Sequence, residues 1–180
     1  HGFYVDFYRS DNAISNDYLY HNIGDSVILY TQDGKVLKQE EVSSYPCVGE
    51  DRPGLRYFRS VRTTGLNENT VVALFSARPL NTGTSYMKMW MPASSDVSYF
   101  TALAPGAKTA SSPYQNKPSL VVTMRKEKPA VKEPFVAVYE PISDKVSAGL
   151  IESVDRVKLD PQGEEGCAIK VNTKEGDTFT

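Results

Sequence analysis

Two histidines are all the imidazole this 180-residue chain carries, and that count alone removes most catalytic or metal schemes built on several histidines. A Ser-His-Asp arrangement would have to use His1 or His21. His21 closes the run Asp17-Tyr18-Leu19-Tyr20-His21. An imidazole there can titrate near neutrality or hydrogen-bond a sugar hydroxyl; the competing reading is a half-buried ring bonded to a neighbouring strand. Paired carboxylates are the second chemistry to consider, because glycoside hydrolysis needs two acids held roughly 5 Å or roughly 6.5 to 9.5 Å apart across a sugar. Asp6, Asp17, Asp25, Glu140 and Glu152 are candidates, but no spacing among the 22 acidic residues singles out a pair. No residue is assigned a catalytic role.

Aromatic side chains are the third resource: eleven tyrosines, seven phenylalanines and one tryptophan. A ring can stack on the apolar face of a sugar while its polar tip bonds hydroxyls. Tyr4, Tyr8, Tyr18, Tyr20, Tyr86, Trp90 and Tyr99 fall in strand-like segments and could form such a platform, although strands also use aromatic rings for packing.

The elements that must position these groups have a period of two. Phe3, Val5 and Phe7 alternate with Tyr4, Asp6 and Tyr8, and Met87, Met89 and Met91 alternate with Lys88 and Trp90, as pleated strands with unlike faces require. Further strands are predicted over 18–23, 27–31, 36–42, 56–63, 70–76, 99–103, 120–126, 135–140, 148–159 and 167–171, about a dozen in all. Asp33-Gly34 is a tight hairpin signal, 65–69 reads as a loop and Pro161-Gln162-Gly163 as a turn. The segment 105–118, with its Gly, Ser and three Pro residues, reads as a long surface loop. No stretch carries an amphipathic helix of three turns. The expectation is an all-β, antiparallel β-sandwich, a single domain over 1–180.

Composition excludes more than it proposes. A net charge of −2, with 20 basic residues scattered among the acidic ones, lacks the concentrated positive face of a nucleic-acid binder. Apolar runs are about five residues long against the ~20 of a membrane-spanning helix. Cys47 and Cys167 have no close Cys or His neighbour, so two buried thiols or one long-range disulfide remain as alternatives. The first residues read as the middle of a strand and 176–180 as the entry to another, so the chain is expected to be part of a longer one.

Four segments, Phe3-Tyr4-Val5-Asp6-Phe7-Tyr8-Arg9, Asn16-Asp17-Tyr18-Leu19-Tyr20-His21-Asn22-Ile23-Gly24, Tyr86-Met87-Lys88-Met89-Trp90-Met91-Pro92 and Phe135-Val136-Ala137-Val138-Tyr139-Glu140-Pro141, together resemble the C-terminal β-sandwich region of heparinase II/III-like polysaccharide lyases. The resemblance implies an N-terminal α/α toroid that supplies most of the catalytic groups, a sandwich that walls one side of the cleft, and an acidic, uronic-acid-containing polysaccharide as substrate. It implies β-elimination, in which a base takes the proton α to the carboxylate and an acid assists the leaving oxygen. A periplasmic or extracellular location follows from such a polymer. Relatives carry a divalent-metal site in a His-rich segment that lies upstream of this chain, so no cofactor is expected within it. Asn16 stands where many relatives have His. His21, Asn16, Tyr20 and Trp90 are the residues expected to contact sugar. The alternatives are a stand-alone carbohydrate-binding module and an accessory domain that binds nothing.

Overall fold

A computed structural model describes residues 2–47, 53–79, 83–143, 149–158 and 166–180. Thirteen strands form among them: β1 Tyr4–Tyr8, β2 Asn16–Asn22, β3 Ser26–Thr31, β4 Glu40–Glu41, β5 Arg59–Leu66, β6 Val71–Ala77, β7 Ser85–Met91, β8 Ser98–Ala104, β9 Ser119–Lys126, β10 Phe135–Ser143, β11 Ile151–Val157, β12 Ala168–Thr173 and β13 Thr178–Phe179. The one helical element among the described residues is a 3₁₀ turn at Pro53–Tyr57. The all-β, antiparallel expectation holds. The predicted turn at 161–163 lies outside the described residues.

Three antiparallel sheets stack in layers. Sheet A has the order β1-β10-β7-β6-β3, sheet B the order β2-β9-β8-β5-β4, and sheet C the order β11-β12-β13. Sheet A is the middle layer. Its inner residues Leu29, Ala73, Phe75, Met89, Met91 and Ala137 pack with Tyr99, Leu120, Val122 and Met124 of sheet B. Its other face, carrying Val72, Trp90, Val136 and Val138, packs with Ile151, Val154, Ile169 and Val171 of sheet C. Burial on both faces explains why 71–75 and 135–139 are continuous apolar runs rather than alternating ones. Each fully buried Val or Ile contributes roughly 1.5–3 kcal/mol. A third cluster covers the outer face of sheet B, where Val61, Phe100, Ala102 and Val121 meet Tyr45, Leu55 and Phe58.

β2 packs on sheet A through its tyrosines. Tyr18 sits against Tyr8 and Phe135, Tyr20 against Tyr139 and Phe75, and Gly24 reaches the end of β6. A Cβ on Gly24 would stand 2.6 Å from the Ser76 carbonyl oxygen, so only glycine lets the chain turn there from sheet B into β3 of sheet A.

Three local expectations are corrected. The strand predicted over 36–42 is not continuous: the return arm of the Asp33-Gly34 hairpin bonds Leu29 and Thr31 through Leu37 and Lys35, then leaves sheet A and pairs as β4 with β5. The predicted 65–69 loop starts later, because Gly65, with φ of 68°, sits at a register shift inside β5. The strand predicted from Arg56 begins at Arg59, after the 3₁₀ turn.

Candidate functional site

A concavity of about 530 Å³ opens where β2 ends over sheet A. Its floor is set by strand register: Phe75 pairs with Met87, and Met87 with Pro141, so three apolar side chains lie side by side. Tyr20, Asn22, Ser85 and Ser143 bring hydroxyls and an amide to it; Ser76 and Tyr86 also border it, but alternation turns their side chains to the other face of sheet A, where the Ser76 hydroxyl meets that of Ser26 at 2.7 Å. An apolar floor with a few converging polar groups is the usual make-up of a small-molecule or sugar site. Among the described residues the lining carries no charged side chain.

Behind Tyr20 lies a network of phenols. The Tyr18 hydroxyl donates to Asp6 Oδ2 at 2.6 Å and lies 2.8 Å from the Tyr139 hydroxyl. The Tyr20 ring meets Tyr139 at 4.7 Å. Burial, and after it the neighbouring Tyr4, pushes the Tyr20 phenol up to about 12. Burial also raises Tyr18 and Tyr139, Tyr18 next by its bond to Asp6 and Tyr139 next by its bond to Tyr18. These hydroxyls remain protonated near neutrality.

The expected sugar contacts are not brought together. Tyr20 lines the cleft. His21, the next residue, points to the opposite face of β2, as alternation demands, and its exposed ring packs edge-on against Phe58 at 6.0 Å; loss of water on that side lowers its pKa. Asn16 is buried, and its amide Nδ2 donates to the carbonyls of Asn12 and Lys128, each at 2.8 Å, while its oxygen accepts from the Ser10 hydroxyl. Its donors and acceptor serve the chain, tying the start of β2 to the end of β9. Trp90 is 4% exposed, packed between sheets A and C with its Nε1 3.4 Å from Glu140 Oε2. Asn16 and Trp90 are therefore interior groups. The strand period places a side chain on one face or the other but does not say which face a third sheet covers. His1 lies outside the described residues.

The candidate carboxylates are likewise dispersed. Asp17 is buried against Arg125 at 3.4 Å and the Tyr45 hydroxyl at 3.0 Å. Asp25 accepts from the Tyr114 hydroxyl and the Arg78 N–H, each at 2.8 Å. Glu140 is buried under β11 and Glu152 faces solvent. No two share a partner across open space. Among the described residues no group of three or more His, Cys, Asp or Glu side chains converges in a metal-binding arrangement. Cys47 and Cys167 are free: the first packs on the outer face of sheet B, the second between sheets A and C, so two sheet layers separate them.

The residues that sequence reasoning missed are the serines and Asn22 of the rim. Only register could have found the serines, because Ser85 and Ser143 are distant in sequence and are paired through β7 and β10.

Over 146 residues, 78% of its length, the chain is 36% identical to an endo-acting ulvan lyase from Formosa agariphila. The match takes in 18% of that relative, so the chain spans less than a fifth of it. The chain is thus related to a segment of a polysaccharide lyase. No protein-family profile matches, and no solved structure matches. No helix among the described residues is long and apolar enough to cross a membrane.

Proposed function

We propose that this chain is the sugar-facing β-sandwich of a polysaccharide lyase that acts on an acidic, uronic-acid-containing polysaccharide outside the cytoplasm. The observation that carries the reading is the 36% identity with a stretch of an ulvan lyase. The uncharged cleft beside Tyr20 supplies the wall. β-Elimination needs a base for the α-proton and a cation or strong donor to stabilise the charge that develops on the carboxylate. The described lining offers no cation and its phenol Tyr20 is too weak an acid to be ionised near neutrality. Tyr20 and Asn22, with the Ser85 and Ser143 hydroxyls, therefore bind and orient sugar. In this reading the proton chemistry belongs to a separate domain, an α/α toroid of the kind found in heparinase II/III-like lyases.

Two measurements test it. The 180-residue chain alone should produce no unsaturated-uronate absorbance from ulvan. In the whole protein, Tyr20→Ala should lower kcat/KM on ulvan about tenfold or more, mainly through KM, as loss of a binding contact does. Full activity of Tyr20→Ala, or lyase activity of the chain alone, sinks the proposal.

A further inference from the structure

β1 is an edge strand, and all five of its residues are exposed. Alternation places Tyr4, Asp6 and Tyr8 on the side that meets β2. Tyr4 keeps 50% and Tyr8 43% of its surface open, yet both rings are held from behind. Tyr4 stacks on Tyr139 with centroids 4.6 Å apart and planes within 16°. Tyr8 rests on Phe135 at 6.2 Å and Tyr18 at 6.0 Å. Each ring is backed on one face and open on the other, so a ligand that covers the open face meets a group already immobilised and loses little side-chain entropy. Asp6, between them, has its carboxylate engaged by the Tyr18 hydroxyl at 2.6 Å.

The strip is continuous with the cleft. Tyr4 and Tyr20 both pack on the Tyr139 ring, with centroids at 4.6 and 4.7 Å, and Tyr20 lines the cleft. At about 3.4 Å per residue, Tyr4 to Tyr8 covers roughly 14 Å, longer than one sugar ring. Rings with apolar faces and polar tips suit a polymer of pyranoses better than a greasy protein surface.

We propose that Tyr4 and Tyr8 form an aromatic strip that carries a polysaccharide out of the cleft and along β1, each ring stacking on the apolar face of one sugar. This rests on the reading of the cleft as a glycan wall. The occupant is one polymer chain, and the strip gives this segment a preference for long substrates over short ones.

The test is calorimetric titration of the 180-residue chain with a ladder of ulvan oligosaccharides from a disaccharide upward. Affinity should climb with length, and Tyr4→Ala and Tyr8→Ala should each remove about five- to tenfold of that gain while leaving the shortest bound ligand unaffected. Tyr4→Phe and Tyr8→Phe, which keep the rings, should restore it, and Trp90 emission should verify that every variant is folded. Affinity that does not rise with length, a rise that survives both alanine variants, or no binding at all overturns the strip. So does sedimentation showing that the strip pairs two copies of the chain and that the variants make it monomeric. The cleft reading stands or falls separately, on Tyr20→Ala in the whole protein.

Discussion

The side chain of Glu140 in the middle sheet accepts the backbone N–H of Ile151, the first residue of β11, at 2.9 Å. The same oxygen accepts from Leu150, and the other faces the Trp90 indole N–H at 3.4 Å. Gly149 completes the joint: its φ is +67°, and a Cβ there would stand 2.8 Å from Glu140 Oε1. One buried carboxylate thus holds the start of sheet C against sheet A. A buried donor left without an acceptor costs about 1–3 kcal/mol. Glu140→Ala is therefore expected to destabilise the chain by about 3 kcal/mol and to raise amide hydrogen exchange first over Ile151–Val157. Exchange that rises evenly over all three sheets would show that Glu140 has no special hold on β11.

Trp90 supplies a second check on the same layer. As the one tryptophan of the chain, enclosed by Val72, Val138, Val154 and Val171, it should emit at short wavelength and resist quenching by iodide. Glu140→Ala should shift that emission to longer wavelength before global unfolding. Ready quenching in the unaltered chain would mean that sheet C does not cover this face.

How much of this could be read from the residues follows from what a period of two conveys. It conveys that Tyr18 and Tyr20 share one face and Leu19 and His21 the other, and the structure keeps that division. It does not convey which faces are covered, so Trp90 was expected at a sugar and lies beneath sheet C. Nor does it foresee a polar interior: β9 is buried along its whole length although it ends in Arg125 and Lys126, because each cation finds an acid on another element. The cleft was only partly legible. Tyr20 was singled out, but its partners come from strands whose register no local pattern specifies.

Tyr99 offers a test of the buried polar groups. Its ring is fully enclosed between sheets A and B, and its hydroxyl has no hydrogen-bond partner among the described residues. A buried hydroxyl without a partner opposes folding. Tyr99→Phe should leave stability unchanged or raise it by about 1 kcal/mol, measured by urea denaturation. A loss of more than about 1 kcal/mol would reveal a partner for that hydroxyl, such as an internal water.

Asp96 is expected to set the acid limit of the fold. Lys126, fully buried, places its Nζ 3.1 Å from Asp96 Oδ2, and Lys128 lies at 3.0 Å from the same oxygen. Burial alone would raise the carboxyl pKa, but hydrogen bonds from Ser94 and Lys128 and the charge of Lys126 outweigh it and bring the value to about 2. A carboxyl depressed in the folded state stabilises the chain above its ordinary pKa, and that contribution is lost as pH falls through the folded value. The span from 3.8 to about 2 corresponds to about 2 kcal/mol, lost between about pH 4 and pH 2. Asp96→Asn should abolish that part of the acid dependence and, by leaving buried Lys126 with only the more distant Glu133 carboxylate at 3.8 Å, destabilise the chain by about 2 kcal/mol at neutral pH. Urea denaturation of both proteins from pH 7 down to pH 2 measures the two effects together. Parallel curves over that range would show that the Lys126–Asp96 pair is not what fails in acid.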